Sequence, residues 1–212
     1  MTEDWLEKSW HDLLARTGAR AGHADEFFRS LVIRYQEPQR AYHTLDHIRD
    51  MIKKLDQQAS QSIVPDSLYY ATWYHDAVYH VDRKTMGDNE TASATLAEKE
   101  LAKLGLDQTL IDTVSKMIIA SKSHSKTTND DVNQFLDCDM SILGAAPVAY
   151  KNYAGQIRQE HHTVPKIVFN YYRRKFLKAV LKQDQIFLTD YYRQHYEKQA
   201  RENLAWELSG FK

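Results

Sequence analysis

The sequence predicts an all-α protein, and three observations predict it. Apolar residues recur three and four apart along nearly the whole chain, the spacing of one helical face. Glycine and proline are scarce, 7 and 4 in 212 residues, whereas sandwiches and barrels use both for their many turns. No alternating apolar–polar run is long enough to make a useful strand.

Each helix can be justified in order. Trp5, Leu6, Trp10, Leu13 and Leu14 form a first amphipathic stripe. Phe27, Phe28, Leu31, Val32 and Tyr35 form a second, which Pro38 stops. Leu45, Ile48, Met51, Ile52 and Leu55 form a third. Leu68, Tyr69, Thr72, Trp73 and Val78 follow Pro65, a residue suited to a first turn. Leu96, Leu101 and Leu104 end at Gly105, a natural C-terminal stop. Asp107 is placed to cap the next helix, which carries Leu110, Ile111, Val114, Met117 and Ile118. Phe135 to Leu143 is a short apolar segment ended by Gly144, and Val148, Tyr153 and Ile157 make another stripe. Phe169 to Leu208 reads as one or two long helices broken near Asp184. The polar stretches Gln57–Ser62 and Ser121–Asp131 are short enough to be loops, so one domain over residues 1–212 is expected.

Charge and composition exclude several function classes. With 28 Lys and Arg against 29 Asp and Glu, the net charge is -1, so neither a strongly basic nucleic-acid binder nor an acidic tail describes the chain. Hydrophobic residues at 42% and charged residues at 27% exclude wholesale disorder. One cysteine, Cys138, permits no intrachain disulfide and no thiolate metal cluster. The first residues do not read as a signal peptide, and no apolar run approaches the roughly 18 residues of a membrane span. A soluble cytoplasmic protein is expected. Neither GxxxxGK[ST], GxGxxG nor HExxH occurs, so P-loop, dinucleotide-binding and zincin chemistry lack support.

The histidines and carboxylates are unevenly placed. His43 and His47 flank Thr44-Leu45-Asp46, at the i, i+4 spacing of a helical metal pair. His75 and Asp76 are adjacent within YYATWYHDAVYH, where a carboxylate is costly unless a cation or donor pairs with it. Asp137 and Asp139 bracket Cys138 and, two residues apart on a helix, face nearly opposite ways. Asp139 shares its face with Phe135, Ile142 and Leu143, and Asp137 with Asn133 and Ser141. Asp139 is therefore the inward carboxylate. Asp137 is expected to stay polar and hydrated, as a cap or as a partner to a ligand. Imidazole nitrogens with carboxylate oxygens suit Mn, Fe, Co, Ni or Zn, and carboxylates also serve Mg. His11, His23, His161, His162 and His195 read as ordinary packing residues.

Those residues resemble the HD superfamily of metal-dependent phosphohydrolases, and in particular a bacterial subgroup of it. YHTLDHI at 42–48, WYHDAVY at 73–79, NETASA at 89–94, FLDCDMSILG at 135–144, IRQE at 157–160 and ARENLAWEL at 200–208 occur in the expected order. The resemblance spans about Tyr42 to Leu208, with a motif core at about 42–144 and C-terminal helices packing on it. It implies an all-α domain with a His…His-Asp…Asp site for one divalent ion. Carried over, His75 and Asp76 match the paired ligands, Asp139 the distal aspartate and His47 the first histidine. His43 is then set just outside, for substrate or for a ligand's outer partner, and His124 falls where some relatives place an extra histidine.

The implied activity is hydrolysis of a phosphate ester, a nucleotide or related small molecule, by a metal-activated water. Asp76 would orient or deprotonate that water, with His43 and His124 beside it. Arg49, Lys122 and Arg158 are the cations expected to hold phosphate, whereas Lys126 reads as a surface charge. Glu90 and Asp137 would support the ligands. Trp73 and Tyr79 are aromatic enough to stack on a base, although packing explains them as well. The rival expectation is a metal- and nucleotide-binding sensor or scaffold without turnover. The expected partner is a small phosphorylated substrate, with no stable nucleic-acid complex and no membrane; a homodimer is left open.

Overall fold

The computed structural model describes residues 2–60, 63–81 and 88–211. Among them are ten α-helices, two short 3-10 segments and no strand. They form two compact units, Met1–Phe135 and Leu136–Lys212. No helix among the described residues is long and apolar enough to cross a membrane.

In the first unit, α1 (Thr2–Arg16), α2 (Ala24–Tyr35), α3 (Leu45–Ala59), α5 (Asn89–Lys103) and α6 (Gln108–Ala120) each bury one stripe. The exception is α4 (Asp66–Tyr74), whose residues Ser67 to Tyr74 are all buried. A helix apolar all round belongs inside a core, and α4 is the core helix here. Trp73 meets Trp10 edge-on at 5.6 Å and Phe28 at 6.0 Å. Tyr35 Oη donates to the Trp73 carbonyl at 3.0 Å, satisfying one of the acceptors a helix end leaves open. Two differences from the sequence expectation appear here. Pro65 precedes α4 as its N-cap, and α4 stops at Tyr74, so Val78 lies beyond it. Likewise α3 runs through Ala59, so the expected loop begins only at Ser60, and Gln61 and Ser62 lie outside the described residues.

The stop and start between α5 and α6 follow local chemistry. Gly105 takes φ +74°. Its N–H donates to Ala102 and that of Leu106 to Leu101, a paired closure that needs the left-handed glycine. Asp107 then accepts from the Thr109 N–H at 2.8 Å.

Within α5, Glu100 is buried and accepts from Tyr74 Oη at 2.9 Å. Burial outweighs this bond and the nearby Arg34, so its carboxyl sits above its ordinary value. A raised acid favours the folded state below its unfolded pKa, and that contribution is lost as pH rises through the folded value. Glu100→Gln should therefore melt higher than wild type at pH 7, with the gain shrinking toward pH 4. Paired thermal melts across that range check the sign.

The helix α7 (Asp130–Met140) begins in the first unit, where the Asn129 side chain accepts from the Val132 N–H. In the second unit, α8 (Pro147–Glu160), α9 (Lys166–Leu181) and α10 (Asp190–Ser209) pack by polar clamps as much as by apolar stripes. Arg173 pairs with Glu207 at 2.7 Å, and Glu207 also accepts from Tyr150. The expected break near Asp184 is the turn from α9 to α10. There Arg201 donates to the Gln183 and Asp184 carbonyls, and Glu197 accepts from the Ile186 and Phe187 N–H groups. Gly144 lets α10 pass close: a Cβ there would lie 2.6 Å from the Tyr196 carbonyl oxygen.

Candidate metal centre

The first ligand is placed by the start of α3. Thr44 caps the helix by accepting from the Asp46 N–H at 3.3 Å. Ile48, Met51, Ile52 and Leu55 bury the inner face, and His47 is buried in the first turn with them. The second ligand closes α4: the His75 N–H donates to the Ala71 carbonyl at 2.9 Å, and its ring lies edge-on to Phe135 at 5.8 Å.

The orientation of His75 follows from its backbone neighbour. Nδ1 is 3.0 Å from the Thr72 carbonyl oxygen, which can only accept, so the ring hydrogen sits on Nδ1. Nε2 then faces the site, 3.3 Å from His47 Nε2 and 3.0 Å from Asp76 Oδ2. Imidazole nitrogens and a carboxylate oxygen this close are a donor set that a divalent cation could take.

Asp139 is the third candidate ligand. It lies one turn beyond Phe135 on the same continuous helix, α7, and so on the same face. One ligand atom each from His47, His75 and Asp139 lies within 4.8 Å of the others. Two imidazoles and a carboxylate could hold a borderline divalent ion. These are three of the four residues expected to bind metal. The fourth, Asp76, stands beside His75 and is one-fifth exposed, less deeply set than its apolar surroundings in the sequence suggest. His47, not His43, belongs to the cluster. His43 Nε2 lies 4.0 Å from Asp76 Oδ2, and its ring packs against Tyr42 at 5.0 Å and Tyr79 at 4.5 Å.

Sequence reasoning passed over Arg40. Its side chain is fully buried and donates to the backbone carbonyls of His43 at 3.0 Å, Asp76 at 2.8 Å and Ala77 at 3.4 Å. Nε donates to Glu37, and the guanidinium lies over the Tyr35 and Tyr79 rings. One side chain thus ties the segment before α3 to the turn carrying His75 and Asp76. The only sequence signal is an arginine three residues ahead of a histidine pair. A second tie runs to α5, where Ser93 Oγ accepts from the Val78 N–H at 3.0 Å. Glu90, in the first turn of α5, is half-buried. Burial, then Asp88 and Asp76, hold its carboxyl above the ordinary value, so it shares the negative field of Asp76.

The cations expected to hold phosphate are all engaged. Arg49 pairs with Asp46 at 2.5 Å and Asp50 at 3.1 Å. Lys122 pairs with Asp88 at 2.6 Å. Arg158 donates to the His161 and Val164 carbonyls and covers the Phe169 ring, closing the end of α8. His124 lies in the turn after α6 with a positive φ of 49°. Trp73 is fully buried in the core, so of the two aromatics expected to stack only Tyr79 lies beside His43.

Asp137 differs from the expected hydrated aspartate: it is 2% exposed. Its oxygens accept from the Leu188 N–H at 2.8 Å, the Thr189 N–H at 2.7 Å and Thr189 Oγ1 at 2.7 Å. Burial still leaves the carboxyl above its ordinary value. Helical periodicity set Asp139 inward and Asp137 in water, but the burial is the reverse: Asp139 is only partly buried, and Asp137 is enclosed by a partner fifty residues on that a helical wheel cannot see. Asp137→Ala should therefore cost about 2–3 kcal/mol, from three lost bonds to a buried carboxyl with two part-buried N–H groups left open. Denaturant titration measures that loss.

No family model, curated protein or solved structure matches this chain.

Proposed function

We propose that this chain is a metal-dependent phosphohydrolase acting on a phosphate ester, a nucleotide or related small molecule. The observation that carries the proposal is the convergence of His47, His75 and Asp139 with the His75 ring held by Thr72 so that Nε2 faces the cluster. The order of the HD-like motifs along the sequence supports the same reading. When bound, a divalent ion supplies Lewis-acid activation of a water and of a phosphoryl oxygen.

The chain's own groups supply the rest. Asp76, not enclosed by the core, can take the proton of the attacking water. His43, 4.0 Å from that carboxylate, can hold a phosphate oxygen or return a proton to the leaving group. Tyr79 beside His43 offers a ring face to a base or other planar group. Arg49 and Lys122 would exchange a carboxylate partner for phosphate, which is feasible because surface ion pairs are weak.

The test is a phosphatase and phosphodiesterase screen across nucleotides and simple esters, with Mn, Co, Ni and Mg supplied separately. Turnover with at least one ion, lost in Asp76→Asn, is the expected result. A chain that binds an ion tightly and turns over no ester in the screen would refute hydrolysis and leave a metal-binding sensor.

A further inference from the structure

The chain is nearly neutral, but its charge is not evenly spread. Between Lys151 and Gln183 there are eight Lys and Arg and one acidic residue, Glu160. The centre of this segment is α9, whose inner face buries Arg173, Leu177 and Val180. Its outer face is unusual. Ile167 is 85% exposed and Tyr171 63%, with Val168 and Tyr172 beside them. One and two turns further on come Arg174, Lys175 and Lys178, also exposed. At about 100° per residue, Ile167, Tyr171, Arg174, Lys175 and Lys178 fall within an arc of about 100°. Lys182, just past the helix end, continues the same row. Among the described residues no carboxylate pairs with any of these four cations.

We propose that this face of α9 docks on an anionic lipid bilayer, with Ile167, Val168 and Tyr171 entering the headgroup boundary and Arg174, Lys175, Lys178 and Lys182 meeting lipid phosphates and carboxylates. Three considerations select that occupant. A second copy paired on the same face offers the basic row no counter-charge. α9 carries no acid of its own to pair with these cations. A nucleic acid would use the cations and the tyrosines, but gains nothing from an isoleucine as exposed as Ile167. Aliphatic and tyrosine side chains next to a basic row are the combination that a charged lipid interface rewards. The proposal is independent of the metal centre.

Flotation of the full chain with vesicles tests it, using phosphatidylcholine alone and phosphatidylcholine mixed with phosphatidylserine. Binding should require phosphatidylserine and weaken as salt rises. Each cation reversed by Arg174→Glu or Lys175→Glu should reduce partitioning at least about fivefold, the factor expected per basic residue at such a surface. Ile167→Ser with Tyr171→Ser should release the chain at lower salt than wild type. These positions are exposed, so the variants should keep the wild-type circular dichroism and melting point. Equal binding to both vesicles, binding to neither, or binding unchanged in the variants would overturn the proposal. Retention of a single-stranded oligonucleotide without retention of vesicles would overturn it in favour of nucleic acid.

Discussion

Asp139→Ala should leave the helices folded and abolish metal binding. Asp139 is only partly buried, so its removal opens no large core cavity. Without it the His47, His75 and Asp139 cluster keeps two imidazoles but loses its carboxylate, the negative member that helps offset the charge of a divalent ion. Affinity should fall by more than the roughly 10–100-fold typical of losing an outer partner of a ligand. Metal at about 100 times its Kd stabilises a protein by about 2.7 kcal/mol, and a 100-fold weaker site would retain about 0.4 kcal/mol of that. The check is metal content after dialysis, together with melts at fixed metal. Asp139→Asn, which keeps the shape and loses the charge, should behave like the alanine variant. If Asp137→Ala emptied the site while Asp139→Ala stayed loaded, the assignment of the two carboxylates would be inverted.

Arg40→Ala should have the larger effect on stability, about 3–5 kcal/mol. It removes a buried charge that donates to three carbonyls, and each carbonyl left unpaired away from water costs about 1–3 kcal/mol. Arg40→Lys should recover only part of this, because an ammonium cannot reach Glu37, His43, Asp76 and Ala77 at once as the planar guanidinium does. Metal affinity should drop in both variants, since the turn bearing His75 and Asp76 loses its tie to the segment before α3. Chemical denaturation and metal titration read the two effects separately. An alanine variant within about 0.5 kcal/mol of wild type would show that water already serves those carbonyls.

What could be read in the sequence was what local rules govern. Gly105 and Asp107 mark a stop and a start because the groups they satisfy lie within three or four residues. The all-α class followed from periodicity, and the His47, His75 and Asp139 cluster from spacing, burial cost and motif order together. The end of α4 was misjudged because Val78 continues the apolar pattern, while its N–H is taken by Ser93 of α5 rather than by a helical carbonyl. Asp137 was misjudged because its burial depends on Leu188 and Thr189, which no helical wheel of α7 contains. Arg158 looked like a phosphate ligand because the two carbonyls that hold it carry no signature in the sequence.

The two contacts that aim the candidate metal-binding histidine and its neighbour both end on main-chain oxygens. Nδ1 of His75 meets the carbonyl of Thr72, and Arg40 meets the carbonyls of His43, Asp76 and Ala77. No side-chain substitution deletes a carbonyl. A saturation mutagenesis map would therefore score Thr72 for its buried hydroxyl and methyl alone and would be blind to its part in orienting the ring. In double-mutant cycles Arg40 would couple to Glu37 and to the tyrosines it covers, and would look unconnected to the very turn it holds. Covariation among related chains would be equally silent there, since an acceptor that every amino acid provides exerts no selection on its own position.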